Sequence, residues 1–431
     1  MNKDSIIIGF MLFALFFGAG NLIYPPTLGI ESGTSFWSAI AGFVITGVGL
    51  PVLAVAAVSF VKNDARELAD RVHPLFGLVF TSVVYLAIGP FFGIPRAATV
   101  AFEMSMEPFT SGSALILFLF TTIFFVLVYA VSRNPSKMVG RIGQFLTPLL
   151  VLTIIILCVG GFLLLNSVPE APGQKYMQSP FFTGFVEGYL TMDAIAALAF
   201  GIIVVGAFKD RGISSSKGLV KSTLKAGMIA GVGLITVYTS IGWIGSRMAS
   251  EGSFSNGGAI LSGAADLMFG TFGALLLGVI VALACFTTSV GLVVACGQFF
   301  HKLSGVSYQW IITLVTFASY LIANQGLNTI ISVSVPVLTF IYPIAIVLII
   351  LTFLHKSFGG AQAVYRGAIL LTAVTALYDG LAAFGLKMPA ITSIMEYLPF
   401  FSLGLGWVVP AIVGGLTGYL FKKPAAPPSN A

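Results

Sequence analysis

An otherwise apolar stretch near the N-terminus contains Phe16-Phe17-Gly18-Ala19-Gly20-Asn21-Leu22-Ile23-Tyr24-Pro25-Pro26. Proline removes a backbone donor and glycine costs a helix about 1 kcal/mol, so a helix should break here. Peptide groups freed in apolar surroundings survive only where protein or a polar cavity satisfies them. Such bare amides and carbonyls can hold an ionised solute without any acid, base or nucleophile. The alternative is a proline kink, with the glycines serving close helix packing.

A second such run is Glu187-Gly188-Tyr189-Leu190-Thr191-Met192-Asp193, followed by Ala199-Phe200-Gly201. The Thr191–Asp193 and Ala199–Gly201 stretches are both candidates for an interruption. A carboxylate inside an apolar span is costly and is functional by default. Asp193 could orient an ammonium group, contribute to a cation site, or cap the following half-helix. Glu187, nearer the end of its stretch, reads as interfacial. Thr287, Thr288 and Ser289 place three consecutive hydroxyls in a third apolar run. Hard cations take oxygen ligands, and neutral oxygens leave no fixed charge behind when the ion departs. The alternative is that each hydroxyl bonds back to its own helix. Tyr85 could hydrogen-bond a carboxylate or simply pack. Arg96, following Gly93 and Pro95, reads as an outer gate or interfacial anchor. Asp266 falls on an expected external helix, Ala259–Phe269, and Asp379 reads as structural.

The elements carrying these residues are set by composition. Hydrophobic residues make up 57% of the 431 and charged residues 8%, against roughly 25% charged in soluble domains. The fold class is all-α: a polytopic membrane protein of about twelve transmembrane helices. Runs long enough to cross a bilayer fall at 5–29, 35–61, 74–100, 113–132, 140–165, 180–208, 218–246, 271–299, 308–323, 327–354, 364–385 and 398–421. The first keeps its Asn and Pro and reads as a span rather than a removed signal. The tail 424–431 reads as disordered. With the N-terminus inside, four of the 21 Lys and Arg lie outside (Arg96, Lys175, Arg247 and Lys387) and the other seventeen lie inside. That bias follows the positive-inside rule, so the net charge of +6 points to membrane topology rather than nucleic acid. Cys158, Cys285 and Cys296 lack metal-type spacing, and no phosphate loop or His-based nucleophile pair appears; an enzyme is not expected.

Five spans separate the starts of the two interrupted ones, so these run in opposite directions. Interrupted spans in corresponding places of two antiparallel halves mark an inverted-repeat transporter with its site at the repeat interface. The chain therefore reads as one transporter domain. It comprises a first repeat, 5–165, an inverted second repeat, 180–354, and two peripheral helices within 364–421, with helices 1 and 6 discontinuous.

The runs Phe17–Pro26, Gly188–Ala194 with Ala199–Gly201, and Cys285-Phe286-Thr287-Thr288-Ser289-Val290-Gly291-Leu292 resemble the bacterial branched-chain amino acid:cation symporters of the amino acid-polyamine-organocation superfamily. The resemblance covers essentially the whole chain. It implies a leucine-transporter-like fold and multi-pass residence in the bacterial inner membrane with cytoplasmic termini. It also implies uptake of leucine, isoleucine and valine, driven by sodium in most members, with proton-coupled symport or amino acid exchange on the same fold as the alternatives. Sodium would be the coupling ion, with no other cofactor; the partners would be the amino acid, sodium and lipid, and no oligomeric state is fixed. Matching the family's Gly-x-Gly-Asn motif to Gly18–Asn21 sets the substrate carboxylate against the amides of Gly18, Ala19 and Gly20. Asn21 matches an asparagine that serves a second cation in some relatives. The carbonyls of Ala14 and Phe17 would face sodium, completed by Thr288 with either Thr287 or Ser289. The substrate ammonium would meet carbonyls at the break in span six, and Phe200 would line the side-chain pocket.

Overall fold

Leucine, phenylalanine and alanine on every side leave these runs no polar stripe, and in lipid a helix is the element that satisfies its own backbone. In the computed structural model, which describes residues 3–61, 65–106, 110, 113–134, 147–213, 215–254 and 256–421, the regular elements are all helical. Among the described residues, seven helices are long and apolar enough to cross a membrane, or eight when the bent pair Pro180–Thr191 and Asp193–Lys209 counts as one. The expected tail 424–431 and the first part of span five, 140–146, lie outside the described residues.

The residues group into two units, one formed by 1–64 and 83–334 and the other by 65–82 and 335–431. In the first unit, span one is two helices, α1 (Lys3–Phe16) and α2 (Ala19–Ser32). Span two is α3 (Phe36–Val44) and α4 (Leu50–Val58), joined by a wide turn at Ile45–Gly49. Span three also has two parts. Helix α5 (Pro74–Leu86), whose residues up to 82 belong to the second unit, leads into Ala87–Phe91, where Gly89 has non-helical backbone angles (φ −84°, ψ −116°) ahead of Pro90, and α6 (Gly93–Ser105) follows. Next come α7 (Ala114–Ser132) and α8 (Thr147–Leu164). Span six is α9 (Pro180–Glu187), a tight turn at Gly188–Thr191, and α10 (Asp193–Lys209). Then follow α11 (Ser216–Ser246), α12 (Gly257–Phe269), α13 (Thr271–Ser304), α14 (Tyr308–Ala323) and α15 (Leu327–Phe353), the last shared with the second unit. The helix expected at Ala259–Phe269 is thus α12. Helix α2 is clamped against α11 at backbone distance: a Cβ on Gly29 would lie 1.9 Å from the Gly242 carbonyl oxygen. Small residues permit such approaches where lipid supplies no hydrophobic drive between helices.

The second unit contains α16 (Gln362–Ala383) and α17 (Val408–Leu420). They cross at Gly367 and Gly414, where an added Cβ would meet the opposite carbonyl oxygen at 2.1 Å and 2.2 Å. The span expected at 398–421 is shorter than its apolar run. Left-handed residues Phe400 (φ 65°) and Gly404 (φ 71°) turn the chain and delay the helix to Val408.

Candidate functional site

Helix α1 ends at Phe16; Phe17 still bonds back to the Phe13 carbonyl at 2.8 Å, and Gly18 is extended (φ −129°, ψ −161°). Helix α2 then restarts at Ala19, and the Asn21 amide reaches the Gly18 carbonyl at 3.2 Å. The break therefore falls at Phe17–Gly18, upstream of the proline pair. Pro25 and Pro26 lie inside α2: their fixed φ is helical, so each forfeits one bond without stopping the helix. The positive N-terminus of α2 and the negative C-terminus of α1 meet at this break.

Two side chains of α13 close on the carbonyl end. Thr287 Oγ1 donates to the Ala14 carbonyl at 2.9 Å, and Thr288 Oγ1 donates to the carbonyls of Leu15 at 2.9 Å and Phe17 at 3.3 Å. Thr287 also bonds back to Ala284 at 3.0 Å. Ser289 points elsewhere: its buried hydroxyl has no hydrogen bond among the described residues. Only glycine fits opposite Thr288, since a Cβ on Gly18 would lie 2.8 Å from its Oγ1. The oxygens gathered here are neutral, and among the described residues no group of three His, Cys, Asp or Glu stands ready for a metal.

The second break follows Thr191, not Ala199–Gly201, where α10 is continuous. Met192 is left-handed (φ 70°, ψ 4°), a conformation that costs a non-glycine residue about 1–3 kcal/mol. The two halves bend by 43°. Asp193, 4% exposed, begins α10 and accepts from Asn21 Nδ2 at 2.6 Å and Tyr238 OH at 2.9 Å. Asn21 Nδ2 also touches Tyr238 OH. The carboxylate thus ties the two broken spans directly to one another and to α11.

Arg96, expected at the outer end of its span as a gate or interfacial anchor, is 3% exposed and lines the central cavity. The reason is the unforeseen break at Gly89–Phe92, which restarts the helix and puts Arg96 in the first turn of α6. Its Nη1 donates to the Leu190 carbonyl at 3.2 Å and its Nη2 to the Thr191 carbonyl at 3.3 Å. Tyr24 lies under the guanidinium, 5.9 Å to the ring centre. Glu187, at the end of α9, is buried within the protein: Tyr176 OH donates to it at 2.6 Å and the half-exposed Lys175 pairs with it. Burial first, and then the Glu187 carboxylate, push the Tyr176 phenol above its ordinary pKa.

These groups surround a cavity of about 30 Å³ lined by Gly18, Ala19, Gly20, Asn21, Arg96, Asp193 and Thr288, with Ile88, Gly93 and Leu292 among its apolar walls. That volume suits about two waters. Three expected substrate contacts do not line it. Tyr85 stacks on Phe299 with centroids 4.0 Å apart. Gly201 faces Val58, whose Cβ would stand 2.6 Å from an added Cβ. Phe200 lies one layer back, 5.9 Å from the ring of Phe16, which does line the cavity. Tyr238 and Arg96 were missed as site residues. Arg96 carried a signal, a cation in an apolar run just after glycine and proline. Tyr238 carried none beyond a polar tip in a long span.

Residues 1–425 match the family described as branched-chain amino acid transport protein. The chain is 47% identical over 423 residues to the branched-chain amino acid permease BrnQ of Bacillus subtilis, covering 97% of this chain and 96% of that one. It is 46% identical over 430 residues to the permease BraB of the same organism, covering 97% and 95%. A putative branched-chain amino acid carrier protein of Staphylococcus aureus is 41% identical over 436 residues, covering 97% of each. Among solved structures, the nucleobase-cation-symport-1 family transporter MHP1, closed with bromovinylhydantoin bound, aligns with TM-score 0.58 at 16% identity over 96% of this chain and 91% of that one. MhsT in complex with L-phenylalanine aligns with TM-score 0.56 at 14% identity over 97% and 98%. At such identities the likeness carries the fold, which is leucine-transporter-like with inverted repeats and discontinuous helices 1 and 6.

Proposed function

The chain belongs to the branched-chain amino acid transport protein family, and we propose that it takes up leucine, isoleucine and valine by sodium-coupled symport with alternating access. The observation that carries this reading is the paired break. The amide end of α2 and the charged break of span six face one cavity, while Thr287 and Thr288 meet the carbonyl end of α1. A carboxylate suits the first, an ammonium the second, and a hard cation the third. In this assignment sodium takes the carbonyls of Ala14 and Phe17 with the hydroxyls of Thr287 and Thr288; Ser289 drops out.

The reading places twelve crossings in the inner membrane of a bacterium, with both termini cytoplasmic. Burying Arg96 removes one of the four exceptions to the charge bias and so strengthens the orientation. One positive charge moving with the field gains about 2.3 kcal/mol per 100 mV, or roughly fifty-fold accumulation at 1.4 kcal/mol per decade. One sodium therefore suffices to concentrate a neutral zwitterion. Selectivity among the three substrates should be modest, since one methylene in an apolar pocket is worth about 1–3 kcal/mol. The cavity must widen to admit any of them, which alternating access provides.

A second reading is favoured by one observation, the buried Asp193 with its two donors: a proton carried on that carboxylate drives uptake instead. Labelled-leucine uptake into proteoliposomes decides. With pH and membrane potential held fixed, an inward sodium gradient should accelerate uptake several-fold over potassium. Equal rates in the two salts, with acceleration by an inward proton gradient, would replace sodium by the proton. No leucine uptake under either gradient would end both readings.

A further inference from the structure

Arg96 is a buried guanidinium that meets no carboxylate within 4 Å among the described residues. Its two hydrogen bonds go to backbone carbonyls, those of Leu190 and Thr191 at 3.2 Å and 3.3 Å, and its Nε has no partner among the described residues. Those carbonyls are the ones that the turn before Met192 leaves bare. In an amino acid carrier they are the natural seat of a substrate ammonium, and here a tethered cation already sits on them. The same guanidinium lies against the other half of the site: a Cβ on Gly20 would be 2.9 Å from Arg96 Nη2. The α2 amides beside it are the natural seat of a carboxylate.

From this placement we propose that Arg96 is an exchangeable cation that reads the zwitterion. Without substrate, its guanidinium occupies the Leu190 and Thr191 carbonyls and keeps the broken turn satisfied. An entering amino acid delivers its ammonium to those carbonyls and its carboxylate to the released guanidinium, alongside the amides of Ala19 and Gly20. Each partner lost by the protein is replaced by one from the ligand, so no buried charge is left unpaired. A solute bearing only one of the two charges cannot complete the exchange. An amine displaces Arg96 without bringing a carboxylate to receive it, the Asp193 carboxylate on the cavity wall being already held by Asn21 and Tyr238, and a carboxylate alone leaves the carbonyls bare. Arg96 is thus a binding residue that selects for amino acids as zwitterions, whereas a purely structural arginine would hold the turn and treat all ligands alike.

This inference rests on the reading of the chain as an amino acid carrier, and the test separates the two. Labelled-leucine uptake by the full chain in proteoliposomes is competed with unlabelled leucine and with leucinamide, which keeps the ammonium and the side chain but lacks the carboxylate. In Arg96→Gln, leucine should compete at least about thirty-fold less well than in the unaltered chain, because truncating one partner of a buried charge pair is costly. Leucinamide should compete no less well than in the unaltered chain, since it makes no bond to the guanidinium and no longer has to displace it. A parallel loss for both competitors would make Arg96 structural and overturn the proposal, as would an unchanged affinity for leucine. If Arg96→Gln is not recovered as a folded protein, Arg96→Lys decides. An ammonium lacks the planar fork, so leucine should weaken by about tenfold while leucinamide stays within threefold; equal shifts again refute the exchange. Absence of leucine uptake by the unaltered chain would instead defeat the carrier reading itself.

Discussion

At Phe17–Gly18 the helix opens onto neutral groups, whereas at Met192–Asp193 it opens between two buried charges. The first break is relaxed: an extended glycine, two helix ends and two threonine hydroxyls satisfy one another. The second is strained and polar, with Met192 left-handed, Arg96 on the carbonyls and Asp193 held by Asn21 and Tyr238. On the proposed reading the difference follows from what each place does. A cation site built from neutral oxygens can empty without leaving a bare charge in a low-dielectric interior. On the proposed reading the zwitterion meets fixed charges, and each has neutral partners within the protein: carbonyls for Arg96, Asn21 and Tyr238 for Asp193. Substitutions at the two breaks should therefore fail differently, the first in its demand for cation and the second in its hold on the amino acid.

The largest effect should come from Asp193. Asp193→Ala removes the carboxylate acceptor shared by the Asn21 side-chain amide and the Tyr238 hydroxyl, and each charge-assisted bond is worth about 1.5–3 kcal/mol. Leucine uptake at saturating sodium should fall by at least about 100-fold. Asp193→Asn keeps one acceptor and should lie between. Retention of sodium-driven uptake within twofold by Asp193→Asn would remove the carboxylate from both binding and coupling, and with it the contrast drawn above.

Next in size is the pair Gly20→Ala and Gly18→Ala, which sets one break against the other. The added methyl at position 20 would meet the Thr191 carbonyl oxygen at 2.9 Å and Arg96 Nη2 at the same distance. Overpacking of about 1–3 kcal/mol translates into a loss of about ten- to 100-fold in apparent leucine affinity. At position 18 the methyl would press on Thr288, so the sodium concentration for half-maximal uptake should rise while leucine affinity at saturating sodium holds. Measuring both dependences in both variants checks the assignment, and an exchange of the two patterns would reverse it.

The first break was legible because glycine, asparagine and proline are conspicuous in an apolar run, and Asp193 was legible because a carboxylate is. What could not be read was which face each helix presents. Tyr85, Phe200 and Gly201 have suitable chemistry, yet they pack against Phe299, Phe16 and Val58. The hydroxyl pair was ambiguous for the same reason: adjacent residues on a helix diverge by about 100°, and only packing against α1 selects Thr287 and Thr288 over Ser289. Arg96 was misplaced by counting along an assumed straight helix, when Gly89 and Pro90 interrupt it. Interruptions matter twice, since they free backbone groups and also reset which residues are deep.

Smaller effects test the neutral break. Thr287→Ala and Thr288→Ala should each raise the half-saturating sodium concentration by about tenfold, the worth of roughly one hydrogen-bonding oxygen. Serine at either position should restore most of it, and Ser289→Ala should change it less than about twofold. An equal effect from all three would mean that the hydroxyls stabilise α13 rather than hold an ion.

The smallest expected effect isolates the strain at the charged break. Met192 is 4% exposed, so truncating it loses packing whichever small residue replaces it. Alanine keeps the left-handed penalty, whereas glycine removes it. Met192→Gly should therefore leave the protein more stable than Met192→Ala by about 1 kcal/mol, despite glycine's larger loss of freedom on folding. Thermal unfolding in detergent would register the order of the two variants. Were the alanine variant the more stable, the left-handed turn would carry no strain, and the charges of Asp193 and Arg96 alone would distinguish this break from the one at Gly18.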